Sequence, residues 1–228
     1  MLAAGVRNCY RQFVRTVKQI MSSDLPIYSQ TLLRTGLQFA ALDRLKGRDD
    51  AAVWEKADAL IAQMEGAADL ADARRIALDD FSKNGLIKMH AALFSGRPNA
   101  GGLRSVEIRP LYRGQDCAPP QFISRSLDNL FSWIHADSFN DIHPIERTAL
   151  TLTRIVDIWP FEFGNLTAAV VFSNSLLRRA GLTPFFVPPE HMREFERVIA
   201  QSMSIEMQPL INVVYNTIRR EMEALGQP

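Results

Sequence analysis

The chain is poor in the residues that staple a fold, span a membrane or steer a charged partner. Two cysteines, Cys9 and Cys117, occur among 228 residues. That excludes a disulfide framework and a thiolate metal cage, and both read as buried or incidental thiols of a reducing compartment. A formal net charge of +1 supplies no global pull toward nucleic acid or an acidic surface, so no nucleic-acid partner is expected. No run approaches the roughly 20 apolar residues needed to cross a bilayer. The first residues are not a signal peptide, because Arg7, Arg11 and Arg15 interrupt any apolar stretch. From these absences a cytoplasmic location is expected. Strand-like alternation is nearly absent too, which points away from sandwiches, barrels and parallel sheets.

Helical periodicity fills the space. Apolar residues make up 47% and charged residues 22% of the chain, ordinary values for a globular domain with one full core. Val6, Tyr10, Val14 and Val17 share one helical face while the arginines and Lys18 share another; this suits a helix packed on the domain or one lying on a membrane surface. Gln30 to Lys46 and Ala51 to Met64 carry apolar residues at helical spacing, and Arg74 to Phe94 reads as one long helix ending at Ser95-Gly96-Arg97-Pro98. Further helices are expected over Phe122 to Ile134, from His143-Pro144 to about Trp159, and over Thr167 to Ala180, which stops at Gly181. His191 to Ser202 and Pro209 to Leu225 complete the set. Only Leu103 to Arg109 alternates apolar with polar residues, as half of a small hairpin would. Residues 1–50 are read as a helical extension on a core domain of residues 51–228.

The segment Trp159-Pro160-Phe161-Glu162-Phe163-Gly164-Asn165-Leu166-Thr167 joins two helices. A glycine turn entering a helix N-terminus is a natural anion site, since free N–H groups and the helix dipole converge there. In register, Pro160, Phe161, Gly164 and Asn165 resemble the signature of the Fic (filamentation-induced-by-cAMP, or Fido-domain) family. That signature runs histidine, Pro-Phe, a spacer, an acid, Gly-Asn-Gly-Arg and a second arginine. Asn174 and Leu176 to Gly181 resemble the family's next helix, and His90 sits where relatives carry a histidine. Gly101, Gly102, Leu103, Arg104, Val106, Glu107 and Ile108 are similar to the family's flap hairpin, which lines a target-peptide groove. The resemblance covers roughly residues 55 to 225 and implies an all-α, Fic-type helical bundle with a small β-hairpin flap.

In active members the resemblance implies AMP transfer from ATP to a target hydroxyl. The loop histidine is general base, the acid holds Mg²⁺, and the arginines neutralise phosphate. This sequence departs at each of those positions. Trp159 replaces the histidine, Phe163 the acid, Leu166 the second glycine, and Thr167 and Val170 the arginines. A general base alone is worth about 10²–10⁴-fold, so AMP transfer by the family mechanism is not expected, nor is any ATP, Mg²⁺ or other metal. If the position of Leu166 demands φ > 0, leucine there costs on the order of 1–2 kcal/mol, and the loop takes another path. Trp159 either plugs the former nucleotide cleft or stands at its mouth as a binding anchor.

Glu65 and Gly66 resemble the end of the family's inhibitory helix, but Ile61 stands at its Ser/Thr position and Val170 at the arginine its Glu would pair with. His143 and His191 read as residues at helix starts. The favoured reading is a protein-interaction or regulatory module that binds a protein or peptide at the flap groove, or itself. The alternative is a divergent nucleotide-binding protein or nucleotidyl or phosphoryl transferase using Glu162, Asn165, Thr167 and Arg104. A third reading makes the basic N-terminal helix the working part.

Overall fold

A computed structural model describes residues 51–64, 67, 69–204 and 206–225. The expected N-terminal extension, its basic helix, Cys9, and the pair Glu65–Gly66 lie outside the described residues. What is described is all-helical. In chain order the helices are α1 (Ala51–Ile61), α2 (Leu70–Asp79), α3 (Lys83–Leu93), α4 (Ile123–Ile134), α5 (Asp137–Asn140), α6 (Pro144–Ile158), α7 (Asn165–Arg179), α8 (Met192–Met203) and α9 (Met207–Leu225). Short 3₁₀ turns, Pro120–Phe122 and Pro189–His191, lead into α4 and α8.

Helix α7 is the axle. Every residue from Asn165 to Leu177 is buried, so this stretch has no solvent face. It packs most extensively on α6, and α2 and α3 also lie against it. α6 turns Ile145, Ala149, Leu152, Ile155 and Val156 inward, the stripe expected from its spacing. Phe172 of α7 stacks on Phe81 with centroids 4.6 Å apart and meets Phe131 edge-on at 5.7 Å.

Two asparagines on α7 bind loops. Asn174 donates to the Phe185 carbonyl at 2.8 Å and accepts the Phe185 N–H at 2.9 Å. Asn165 does the same to Phe161. Nine residues at 3.6 per turn is two and a half turns, so the two amides face opposite sides of the helix.

The single helix expected over Arg74 to Phe94 is two helices. α2 stops at Asp79, and Ser82 caps α3 by accepting the Gly85 N–H at 3.3 Å. The apolar rhythm continues through the corner because Phe81 still turns into the core, which hid the break. A Cβ on Gly85 would lie 1.6 Å from the Asp80 carbonyl oxygen, so this corner closes only with glycine. The expected hairpin is also absent among the described residues. Its first part forms one isolated antiparallel bridge, Leu103 to Phe161, because its partner is the loop after α6 and not a second flap strand.

Gly85→Ala should lower unfolding free energy by about 2–4 kcal/mol, a clash of backbone on backbone that only opening the α2–α3 corner relieves. Urea titration followed by far-UV circular dichroism measures it; a loss below about 1 kcal/mol contradicts the corner geometry.

Candidate functional site

The loop from Trp159 to Gly164 begins under strain. α6 ends with the Trp159 N–H bonded to the Ile155 carbonyl at 3.0 Å, and Trp159 itself is left-handed at φ 51°, ψ 62°. A bulky residue there costs roughly 1–3 kcal/mol, and proline next in the chain disfavours helical geometry as well. The compensation is visible. Arg104 donates from Nε to the Trp159 carbonyl at 2.7 Å, and the Arg104 N–H bonds the Pro160 carbonyl at 2.9 Å. The Trp159 ring is nearly buried and meets Tyr112 edge-on at 6.2 Å.

Arg104 is therefore a clamp and not a phosphate ligand. It is buried, and its other nitrogens donate to the carbonyls of Val106, at 2.8 Å, and Ala118. Burial lowers its pKa, while Cys117 and Glu107 oppose that shift. Two of its four bonds to backbone, those to Trp159 and Pro160, join the flap segment to the loop.

Asn165 closes the loop on itself. Its Oδ1 accepts the Phe161 N–H at 2.9 Å and its Nδ2 donates to the Phe161 carbonyl at 2.8 Å. Gly164 makes this turn possible at φ 68°, and a Cβ there would lie 2.2 Å from the Phe94 ring. Both the dihedral and the space demand glycine. Leu166, by contrast, lies inside α7 and is not among the residues of positive φ. The expected strain at Leu166 is absent because α7 has already begun; it falls on Trp159 instead.

His90 of α3 fixes the other side. Its Nδ1 accepts the Gly101 N–H at 2.9 Å, so the ring proton sits on Nε2 and is donated to the Phe163 carbonyl, 3.0 Å away. The ring is fully buried and stacks on Phe161, centroids 3.7 Å apart and 13° from parallel. Burial holds its pKa down to about 4, with Arg97 adding to the shift and the Phe163 carbonyl opposing it. One neutral imidazole thus joins α3, the flap turn and the loop.

Phe163, at the position of the expected metal acid, lies under the Arg97 guanidinium at 4.0 Å and edge-on to Phe94 at 5.3 Å. Thr167 and Val170 are fully buried in the core, and Glu162 is exposed. Among the described residues no group of three His, Cys, Asp or Glu could hold a metal ion. His143 caps α6 by accepting the Ile145 N–H at 3.3 Å, and His191 ends the turn before α8; both sit at helix starts, as their sequence positions indicate.

A cavity of about 500 Å³ opens beside the loop. Trp159 and Leu166 form its floor with Met64, Tyr112 and Met192, and Glu196 is the one charged group among its described lining residues. Trp159 lines this space and does not fill it. Of the flap residues, Val106 is well exposed, as is Leu111 beyond them; Gly102, Leu103 and Ile108 are half-buried. Tyr112 and Glu196 carried no sequence signal, since they lie far from the loop in the chain and belong to no motif.

Residues 80–177 match the Fic/DOC family. Over that segment the chain is similar to Fic-family domains. Protein adenylyltransferase fic-1 of Caenorhabditis elegans is 24% identical over 139 residues, 60% of this chain and 27% of that protein. The chain thus spans about a quarter of the length of the curated relatives it matches. A structure of Fic-1 from C. elegans has a TM-score of 0.64 at 15% identity, covering 97% of this chain and 84% of that one. IbpAFic2 in complex with adenylylated Cdc42 has a TM-score of 0.55 at 16% identity, covering 83% and 70%. These likenesses show the Fic fold.

Two outcomes test the loop. Asn165→Asp replaces a donor with a carboxylate facing the Phe161 carbonyl and should destabilise the domain by about 1–3 kcal/mol, read from its urea midpoint; an unchanged midpoint would refute the closure. His90 binds a proton more readily unfolded, near pH 6.5, than folded, near 4, so its contribution is complete above about 6.5 and is lost as pH falls toward 4. The loss should be on the order of 3 kcal/mol, and His90→Gln should flatten that part of the stability–pH curve.

Proposed function

We propose that this Fic-family domain does not transfer AMP and serves as a protein-interaction or regulatory module. The observation that carries the reading is Trp159, which stands where the family's general base would stand. Its indole cannot accept a proton, and its ring lies along the cleft wall beside Tyr112. The other polar groups of the loop are committed elsewhere. Asn165 holds Phe161 and Arg104 holds the carbonyls of three residues, while Phe163 offers no oxygen to Mg²⁺. The cleft wall is mostly apolar and its one described charge, Glu196, repels phosphate. No ATP or Mg²⁺ requirement follows from such a site.

The partner we propose is a protein or peptide at the flap, or a second copy of the chain. Val106 and Leu111 are exposed there, and a neighbour of the same fold is seen in complex with adenylylated Cdc42. No described helix is long and apolar enough to cross a membrane, and the cytoplasm remains our proposed location.

One observation favours a second reading, a divergent nucleotide binder. Gly164 gives α7 no side-chain cap, and Leu166 in its first turn borders the cavity, so the N-terminus of α7 lies beside a space wide enough for a nucleoside.

Incubation with labelled ATP and Mg²⁺, alone and with cell extract, should leave no AMP on any protein, and Trp159→His alone should not restore transfer. Calorimetric titration with ATP, CTP, GTP and UTP, with and without Mg²⁺, should show no micromolar binding; binding of any one of them selects the second reading.

A further inference from the structure

We infer that the cavity beside Trp159 binds a small aromatic molecule that is neutral or positively charged, and rejects anionic ones. This rests on the reading above that the cleft no longer handles a nucleotide, and it names what the cleft accepts instead.

The first argument is size and surface. About 500 Å³ falls in the range of ligand cavities, and the lining brings two aromatic rings together with two flexible thioethers. Trp159 and Tyr112 are 6.2 Å apart and 64° from parallel, so a flat ring can lie on one face and meet the other by its edge. Met64 and Met192 supply polarizable walls that adapt to ring shape. Such walls take a planar hydrocarbon or heterocycle and give little to a flexible chain.

The second argument is charge. Glu196 is exposed at the cavity, and among the described residues no cation pairs with it. Arg197, next in the chain, is directed instead to Glu194 at 3.9 Å. On the loop side, the Arg104 guanidinium is buried against carbonyls. A ligand ammonium therefore finds a carboxylate and two aromatic faces, a combination that favours cations. A ligand carboxylate or phosphate finds the same carboxylate and no counter-charge among the described lining residues.

A matched indole series isolates the charge. Tryptamine, tryptophol and indole-3-acetate share one ring system and differ as cation, neutral molecule and anion. Their dissociation constants are measured on the full chain by ligand-observed NMR at low ionic strength. Tryptamine is expected to bind with Kd about 1 mM or below, tryptophol more weakly, and indole-3-acetate about tenfold more weakly than tryptamine. Glu196→Gln, an exposed substitution on α8, should bring the three constants together while leaving tryptophol unchanged.

The inference is overturned if indole-3-acetate binds as tightly as tryptamine, if none of the three binds, or if Glu196→Gln leaves the order intact. ATP with Mg²⁺ is the competitor. If it displaces tryptamine, the preceding reading fails too; if the series fails while ATP neither binds nor reacts, only this inference falls.

Discussion

The conformation of the 159–164 loop depends on one side-chain amide. Asn165 presents to Phe161 the same donor and acceptor that a neighbouring strand would. It therefore satisfies both polar groups of a buried residue that no sheet reaches. With Phe161 fixed, its ring stays under His90, and His90 stays bonded to the flap turn and the Phe163 carbonyl. Remove the amide and a buried N–H and carbonyl lose their partners together. The strained Trp159, two residues earlier, then has less to hold it in place.

Arg104 and His90 show how polar residues can serve the scaffold alone. A guanidinium and an imidazole close to a Gly-Asn turn invite a catalytic interpretation. Here each is fully coordinated by backbone, Arg104 by carbonyls and His90 by one N–H and one carbonyl. A buried cation is tolerated because three carbonyl dipoles converge on it. A neutral histidine is tolerated because both ring nitrogens have partners of the correct kind. Each guanidinium nitrogen of Arg104 and each ring nitrogen of His90 is thereby tied to the scaffold.

The helices were legible because their apolar stripes, caps and stops are local. His143-Pro144 opens α6 and Gly181 follows α7, as their residue types require. The loop was legible through Gly164 and Asn165, which geometry confines to their roles. The α2–α3 corner was not, because Phe81 keeps the apolar rhythm across it. The hairpin failed for a related reason. Alternation shows that a segment is extended, yet it cannot say whether the neighbour is a second flap strand or the loop at Phe161. Nor does sequence distance reveal that Tyr112 and Glu196 share a cavity with Trp159.

Burial of α7 on every side limits the charge it can carry. Thr167 and Val170 are both fully enclosed. An arginine at either site would place a guanidinium among packed side chains with no counter-ion, a burden of several kcal/mol before any benefit to chemistry. Charge is therefore admitted only at the C-terminal end of the helix, where Arg178 and Arg179 lie beyond the fully buried stretch.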